Sequence, residues 1–191
     1  MTTELGDVPP EALDPAPGQP IVLVGLMGAG KTSVGRRLAK HLGRAFLDAD
    51  HEIEKAAGRS VSEIFEDFGE AAFREGERRV IARILEEQKD AVLATGGGAF
   101  VDDEVREIVK TRARSIWLDA DVDVLVERTA RRNTRPLLKT GDPKKILKKL
   151  FRERRPFYAQ ADIHVQSGRG SAASVVKQVV TALKNYVGPH A

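Results

Sequence analysis

The sequence contains no cysteine, which excludes disulfides, thiolate metal sites, thiol nucleophiles and redox switching together, and suits a reducing cytosol. No apolar run approaches the roughly 20 residues that a membrane-spanning helix requires. The start, MTTELGDVPPEALDPAPGQP, lacks the basic and apolar regions of a secretory signal. A cytoplasmic protein with no membrane partner is expected. Aromatic residues make up only 5% of the chain, with one Trp and two Tyr, which leaves few platforms on which nucleic-acid bases can stack. His41, His51, His164 and His190 are scattered without metal-ligand spacing. Residues 1–19 have no basic residue but contain several acids and four prolines. Such a segment buries too little apolar surface to order itself and is expected to be a flexible tail.

What is present fits one domain, residues 20–191, since 191 residues at 41% hydrophobic content can build a single core. The net charge of +3 is unevenly distributed. Between Arg128 and Arg155 there are twelve Lys or Arg against Asp142 and Glu153, so that segment carries +10 and the rest of the chain −7. A local excess of this size implies a polyanion, either nucleotide phosphates or nucleic acid, or else a solvated helix face. Lys144, Lys145, Lys148 and Lys149 are assigned to such a face.

Short apolar runs alternate with helical spacing along the chain. IVLVG, AFLD, AVLAT, SIWLD and DIHVQ read as five strands. Between them SVGRRLAKHLG, HEIEKAAG, SVSEIFEDF, FREGERRVIARILEEQ, VREIVKT, DVDVLVERTARR and KKILKKLFRERRPFY read as helices, with SAASVVKQVVTALKNYV after the last strand. Ser60 and Glu63 form a capping box at the start of the third helix. Strands that alternate with helices predict a parallel sheet covered on both faces.

The first strand runs into Gly25-Leu26-Met27-Gly28-Ala29-Gly30-Lys31-Thr32, which fits G-x-x-x-x-G-K-[ST] between a strand and a helix. Backbone N–H groups of Gly28, Ala29 and Gly30 can turn around phosphate oxygens, followed by Ser33 in the same cradle. Lys31 can reach the terminal phosphates, and Thr32 offers a hydroxyl to Mg²⁺. Binding of a nucleoside triphosphate with Mg²⁺ follows.

A phosphate cradle does not name an acceptor. Asp48 and Asp50 close the second strand, and a spacing of two in extended chain points both carboxylates the same way. One can serve the metal and the other a substrate hydroxyl, although Asp50 would also serve as an N-cap of the next helix. Asp119 ends another strand and competes for the metal role. Arg74 stands among acids, where it can accept a substrate anion or merely pair along its helix. Gly96, Gly97 and Gly98 follow the third strand, and three consecutive glycines suggest backbone that runs close to a ligand or adopts positive φ.

Taken in order, GLMGAGKT at 25–32, FLDAD at 46–50, Phe73-Arg74-Glu75-Gly76-Glu77, ATGGGA at 94–99, RPLL at 135–138 and Glu153-Arg154 before Pro156-Phe157-Tyr158 resemble the shikimate kinase family over nearly everything after the tail. The resemblance implies a three-layer α/β/α P-loop kinase, similar in fold to nucleoside monophosphate kinases. It implies a five-stranded parallel sheet, a helical substrate-binding insertion over about 50–77 and a lid over about 131–143. It implies ATP-dependent phosphorylation of the 3-hydroxyl of shikimate; a monomer is expected. Asp50, Arg74, Gly96, Gly97, Gly98 and Arg154 would hold shikimate, while Thr32 and Asp48 would serve Mg²⁺. Lys31 and Arg135 would neutralise the transferring phosphoryl group, with Asp50 as the third catalytic residue, and Arg128 would lie beside the adenine.

Residue chemistry agrees with these assignments. A small anionic triol needs a bidentate cation for its carboxylate, which Arg74 and Arg154 can supply, and an acceptor for its hydroxyls, which Asp50 can supply. By residue type alone Arg155 would serve as well as Arg154. A lid carrying Arg135 would exclude water and bring a cation only when both substrates are bound. A gluconate-type kinase and a nucleic-acid-binding NTPase are the competing readings.

Overall fold

The computed structural model describes residues 14–130 and 141–186. Five strands form one parallel sheet: β1 (Ile21–Val24), β2 (Ala45–Asp48), β3 (Ala91–Ala94), β4 (Arg114–Asp119) and β5 (Ile163–Gln166), in the order β2-β3-β1-β4-β5. Central β1 is in register with both neighbours, Val22 opposite Leu93 of β3 and Ser115 of β4. Its four residues are fully buried, as a run of Ile, Val and Leu covered on both faces should be.

Among the described residues seven helices connect and cover the sheet: α1 (Lys31–Leu42), α2 (Ala49–Ala57), α3 (Val61–Glu87), α4 (Asp103–Arg112), α5 (Val122–Ala130), α6 (Pro143–Tyr158) and α7 (Ala172–Asn185), with a 3₁₀ turn at Ala99–Val101. Helix α1 packs with α7, and α3 packs with α4, which gives the layers expected of alternating strands and helices. The chain leaves β1 toward β2 and later passes back across it to β4, so the sheet reverses its winding beside the carboxyl ends of β1 and β3. Ligands of open α/β sheets bind at such a point.

The expected capping box is formed: Ser60 N donates to Glu63 Oε2 at 2.7 Å and Glu63 N to Ser60 Oγ at 3.2 Å. The helices expected on either side of residue 69 both form within α3, which is broken between them at Gly69 with φ 80° and ψ 174°. Helix α6 opens on Pro143 with Asp142 as its N-cap, and its four lysines are exposed. Trp117 of β4 is core, 4% exposed.

Two expectations need correction at this level. The last part of the expected tail is held against the domain: Asp14 and Arg44 pair at 2.6 Å, with side chains 8% and 2% exposed, and Gly18 N donates to Asp90. A bidentate ion pair that also satisfies Gln19 O supplies the contacts that composition alone did not promise. The carboxylates of Asp48 and Asp50 are also not successive positions on extended chain. Strand β2 ends at Asp48, whose Oδ1 accepts from Asp50 N at 3.2 Å, so Asp48 is the N-cap of α2 and Asp50 lies in its first turn. A short polar side chain at a strand end satisfies an orphan helix N–H more readily than the strand can continue.

Candidate active site

The phosphate cradle is the turn between β1 and α1. Gly25 has φ 138°, and a Cβ there would lie 2.7 Å from the carbonyl oxygen of Leu118, so only glycine lets the loop pass this close to β4. Gly30, at φ 93°, turns the chain into α1 with its N–H groups facing the loop. Lys31 is buried and folds back over the loop, with Nζ donating to Gly25 O at 2.7 Å and Leu26 O at 3.0 Å.

A cavity of about 350 Å³ opens from this loop along the carboxyl end of the sheet. Its walls include Gly28, Gly30, Lys31, Thr32, Ser33, Asp48, Asp50, Thr95, Gly96, Gly97, Arg128, Ser167 and Val175. Thr32 Oγ1 donates to Asp48 Oδ2 at 2.9 Å. Two hard oxygen donors side by side fit Mg²⁺, which keeps several waters and takes one or two protein oxygens together with phosphate. No cluster of three or more His, Cys, Asp or Glu with metal-binding geometry occurs among the described residues. Asp119, the competing strand-end carboxylate, instead accepts from Gln166 Nε2 at 3.2 Å and does not line the cavity.

The three glycines after β3 bring the remaining residues together. A Cβ on Gly96 would lie 3.0 Å from both Asp50 Oδ1 and Glu77 Oε1. One on Gly97 would lie 3.5 Å from Arg154 Nη1 and from Met27 N of the phosphate loop, and one on Gly98 2.7 Å from Arg74 Cζ. None of the three has positive φ. Their lack of side chains makes room for groups arriving from β2–α2, α3, α6 and the cradle; of the two readings offered for them, left-handed backbone is not the one used. Arg155, the alternative to Arg154, lies exposed with its guanidinium 5.9 Å from the centre of the Phe151 ring.

Arg74 keeps the helical pairing as well as its place at Gly98: Nη1 donates to Glu77 Oε2 at 2.7 Å and Nη2 to Glu70 Oε1 at 3.2 Å. Glu77 is 1% exposed, and its other oxygen, Oε1, accepts no hydrogen bond among the described residues. Burial pushes its carboxyl above the ordinary carboxylate range, opposed by Arg74 and assisted by Asp50 and Asp102. Glu77 has no assigned role in the sequence reading, although its spacing of three from Arg74 on a helix put both on one face.

Arg128 reaches from α5 to the turn after β5. Nη1 donates to Ser167 Oγ at 3.2 Å and to Gly28 O at 3.3 Å, and Nη2 to Gly168 O. Ser167 Oγ donates to Ala29 O at 2.6 Å. These bonds join the phosphate loop to the β5–α7 connection, and nothing in the local sequence around Ser167 announces that it completes the cradle. Arg135, and the lid expected over 131–143 apart from its last three positions, lie outside the described residues.

A doubly wound parallel sheet, a glycine-rich cradle on its first strand, and carboxylates and guanidinium groups gathered beside it at Gly96–Gly98 define a P-loop kinase for a small molecule. The family model described as shikimate kinase matches residues 27–184, and the chain belongs to the shikimate kinase family. It is 54% identical over 172 residues to a shikimate kinase of Caulobacter vibrioides, covering 90% of this chain and 86% of that protein. The structure of a shikimate kinase from Acinetobacter baumannii in complex with shikimate superposes with a TM-score of 0.85 at 40% identity, over 91% of this chain and 96% of that one. A gluconokinase from Sinorhizobium meliloti, 19% identical with a TM-score of 0.55 over 87% of this chain and 91% of that one, shares the fold. Among the described residues no helix is long and apolar enough to cross a membrane.

Proposed function

We infer that this chain transfers the γ-phosphoryl group of ATP to the 3-hydroxyl of shikimate, giving shikimate 3-phosphate and ADP. The observation that carries the residue roles is the convergence at Gly96–Gly98, where Asp50 with Glu77, Arg154 with the phosphate loop, and Arg74 each face a different missing side chain.

Arg74 and Arg154 take the substrate carboxylate, because a guanidinium matches a carboxylate in two parallel hydrogen bonds. Asp50 accepts the proton of the attacking hydroxyl, or orients that hydroxyl, from a position beside the cradle. Glu77 Oε1, already desolvated and unpartnered, suits a further substrate hydroxyl. Lys31 leaves its loop carbonyls for the transferring oxygens. Gly28 to Ser33 hold the phosphates through backbone N–H groups, and Arg128 holds the loop under the nucleotide. Thr32 and Asp48 would hold Mg²⁺, which supplies charge neutralisation across the phosphates. The role of Arg135, a cation delivered to the transferring group, rests on family membership.

The deciding assay follows ADP release from ATP and Mg²⁺ with shikimate, gluconate and nucleoside monophosphates offered separately. Stimulation by shikimate alone is expected. Stimulation by gluconate would transfer the site to the other acceptor, and indifference to all of them would leave only a nucleotide site.

A further inference from the structure

Helix α6 carries Arg154 and Tyr158 four residues apart, one turn above the other on a single face. Between them stands Pro156, inside the helix, whose missing N–H removes one rung of the ladder just where Arg154 must be held. The missing rung is the one to the Arg152 carbonyl, while the carbonyls of Arg155, Phe157 and Tyr158 still accept from Ala159, Gln160 and Ala161. Tyr158 is 1% exposed, its hydroxyl donates to the carbonyl oxygen of Gly97, and its ring centre lies 6.1 Å from that of Trp117 in the core. Gly97 is the residue whose absent side chain faces Arg154 Nη1. The Arg154 guanidinium adjoins the Tyr158 hydroxyl closely enough to oppose the effect of burial, which pushes the phenol up to about 12, so the hydroxyl stays protonated and a donor throughout the working range.

We propose that Tyr158 is a positioning residue: by tying the end of α6 to the Gly97 carbonyl it sets where the Arg154 guanidinium stands relative to the acceptor pocket. The inference rests on the functional reading above, in which Arg154 binds the shikimate carboxylate. An aromatic ring at this position would fill the core equally well without its hydroxyl, so the oxygen is the part with a directional task.

Tyr158→Phe keeps the ring and removes the tie. It is expected to raise the shikimate KM about tenfold, the weight of one net hydrogen bond at the upper end of its range, while kcat and the ATP KM stay within about twofold. In an Arg154→Ala background the same change is expected to add less than about twofold, since it then has nothing left to position. An unchanged shikimate KM in Tyr158→Phe, or a full tenfold penalty persisting without Arg154, overturns the proposal. So does a parallel loss of kcat, ATP affinity and melting temperature, which marks a structural tyrosine only.

A second measurement does not depend on that variant folding. Tyr158 and Tyr186 are the only tyrosines, so the wild-type chain grown with 3-fluorotyrosine gives two ¹⁹F resonances, assigned with Tyr186→Phe. Saturating shikimate without ATP is expected to shift the Tyr158 resonance and leave that of Tyr186 in place; an unmoved Tyr158 resonance overturns the proposal. Failure of the wild type to turn over shikimate at all removes the functional reading itself, and is told apart from these outcomes because it appears before any variant is made.

Discussion

Arg74 occupies the space that a side chain at Gly98 would take: a Cβ there would lie 2.7 Å from Cζ of the guanidinium. The turn after β3 and the middle of α3 are thereby fitted to each other, and Arg74 is held from the far side by Glu77 at 2.7 Å. Gly98→Ala must displace the guanidinium, since the backbone on which the methyl stands cannot retreat into the core. The expected result is a shikimate KM raised about 10- to 100-fold, the scale set by misplacing a binding group by about 1 Å, with the ATP KM moved less than about twofold. Initial-rate kinetics with each substrate varied in turn make the comparison.

Asp50 lies in the first turn of α2 and its side chain faces Gly96. Asp48 caps the helix through Oδ1, so removing the charge at Asp50 does not remove the cap. Asp50→Asn is therefore expected to leave the melting temperature nearly unchanged and to lower kcat about 10²- to 10³-fold, as the loss of a general base does. Turnover equal to the wild type would exclude both a proton-accepting and an orienting role.

Asp48 has two tasks, one on each oxygen: Oδ1 accepts from Asp50 N, and Oδ2 from the Thr32 hydroxyl. Asp48→Asn keeps an acceptor for the cap and removes the charge. The Mg²⁺ concentration for half-maximal rate is expected to rise about tenfold or more, while shikimate binding measured by calorimetry without nucleotide stays as in the wild type. An unaltered Mg²⁺ dependence would return Asp48 to capping alone.

Glu77 makes stability depend on pH. Its carboxyl is raised by burial, with Arg74 opposing, so the folded state favours the neutral form. The stability contributed by that preference is complete below the ordinary carboxyl value of 4.5 and is lost as pH rises through the raised value. Glu77→Gln has no such loss. The urea midpoint of the variant relative to the wild type is expected to move in the variant's favour from about pH 4 to about pH 8, by about 1.4 kcal/mol of unfolding free energy for each unit of the shift. A difference that is flat with pH, or that moves the other way, contradicts a raised carboxyl.

Much of this molecule is legible along the chain because its signals are contiguous. Five apolar runs alternate with helical spacing and become five parallel strands and their crossovers. The residues of the cradle stand together between Gly25 and Thr32, so the strand, the turn and the helix that follows are written in one passage. The capping box at Ser60 and Glu63 is equally local. The roles of Gly96–Gly98 were less so: three glycines indicate close approach, but not that the approaching groups are Asp50, Glu77, Arg154 and Arg74, which come from segments up to about sixty residues away.

The order of residues determined the fold class, the phosphate cradle and the types of side chain available to the acceptor, since backbone conformation, periodicity and local capping act over a few residues. Tertiary structure alone decided that Asp119 turns aside to Gln166, that Glu77 is buried with one oxygen unpartnered among the described residues, that Arg128 closes the cradle through Ser167, and that Tyr158 ties α6 to Gly97. Each of these depends on contacts between segments apart in the sequence, and such contacts come into being only when the sheet brings the carboxyl ends of its strands together.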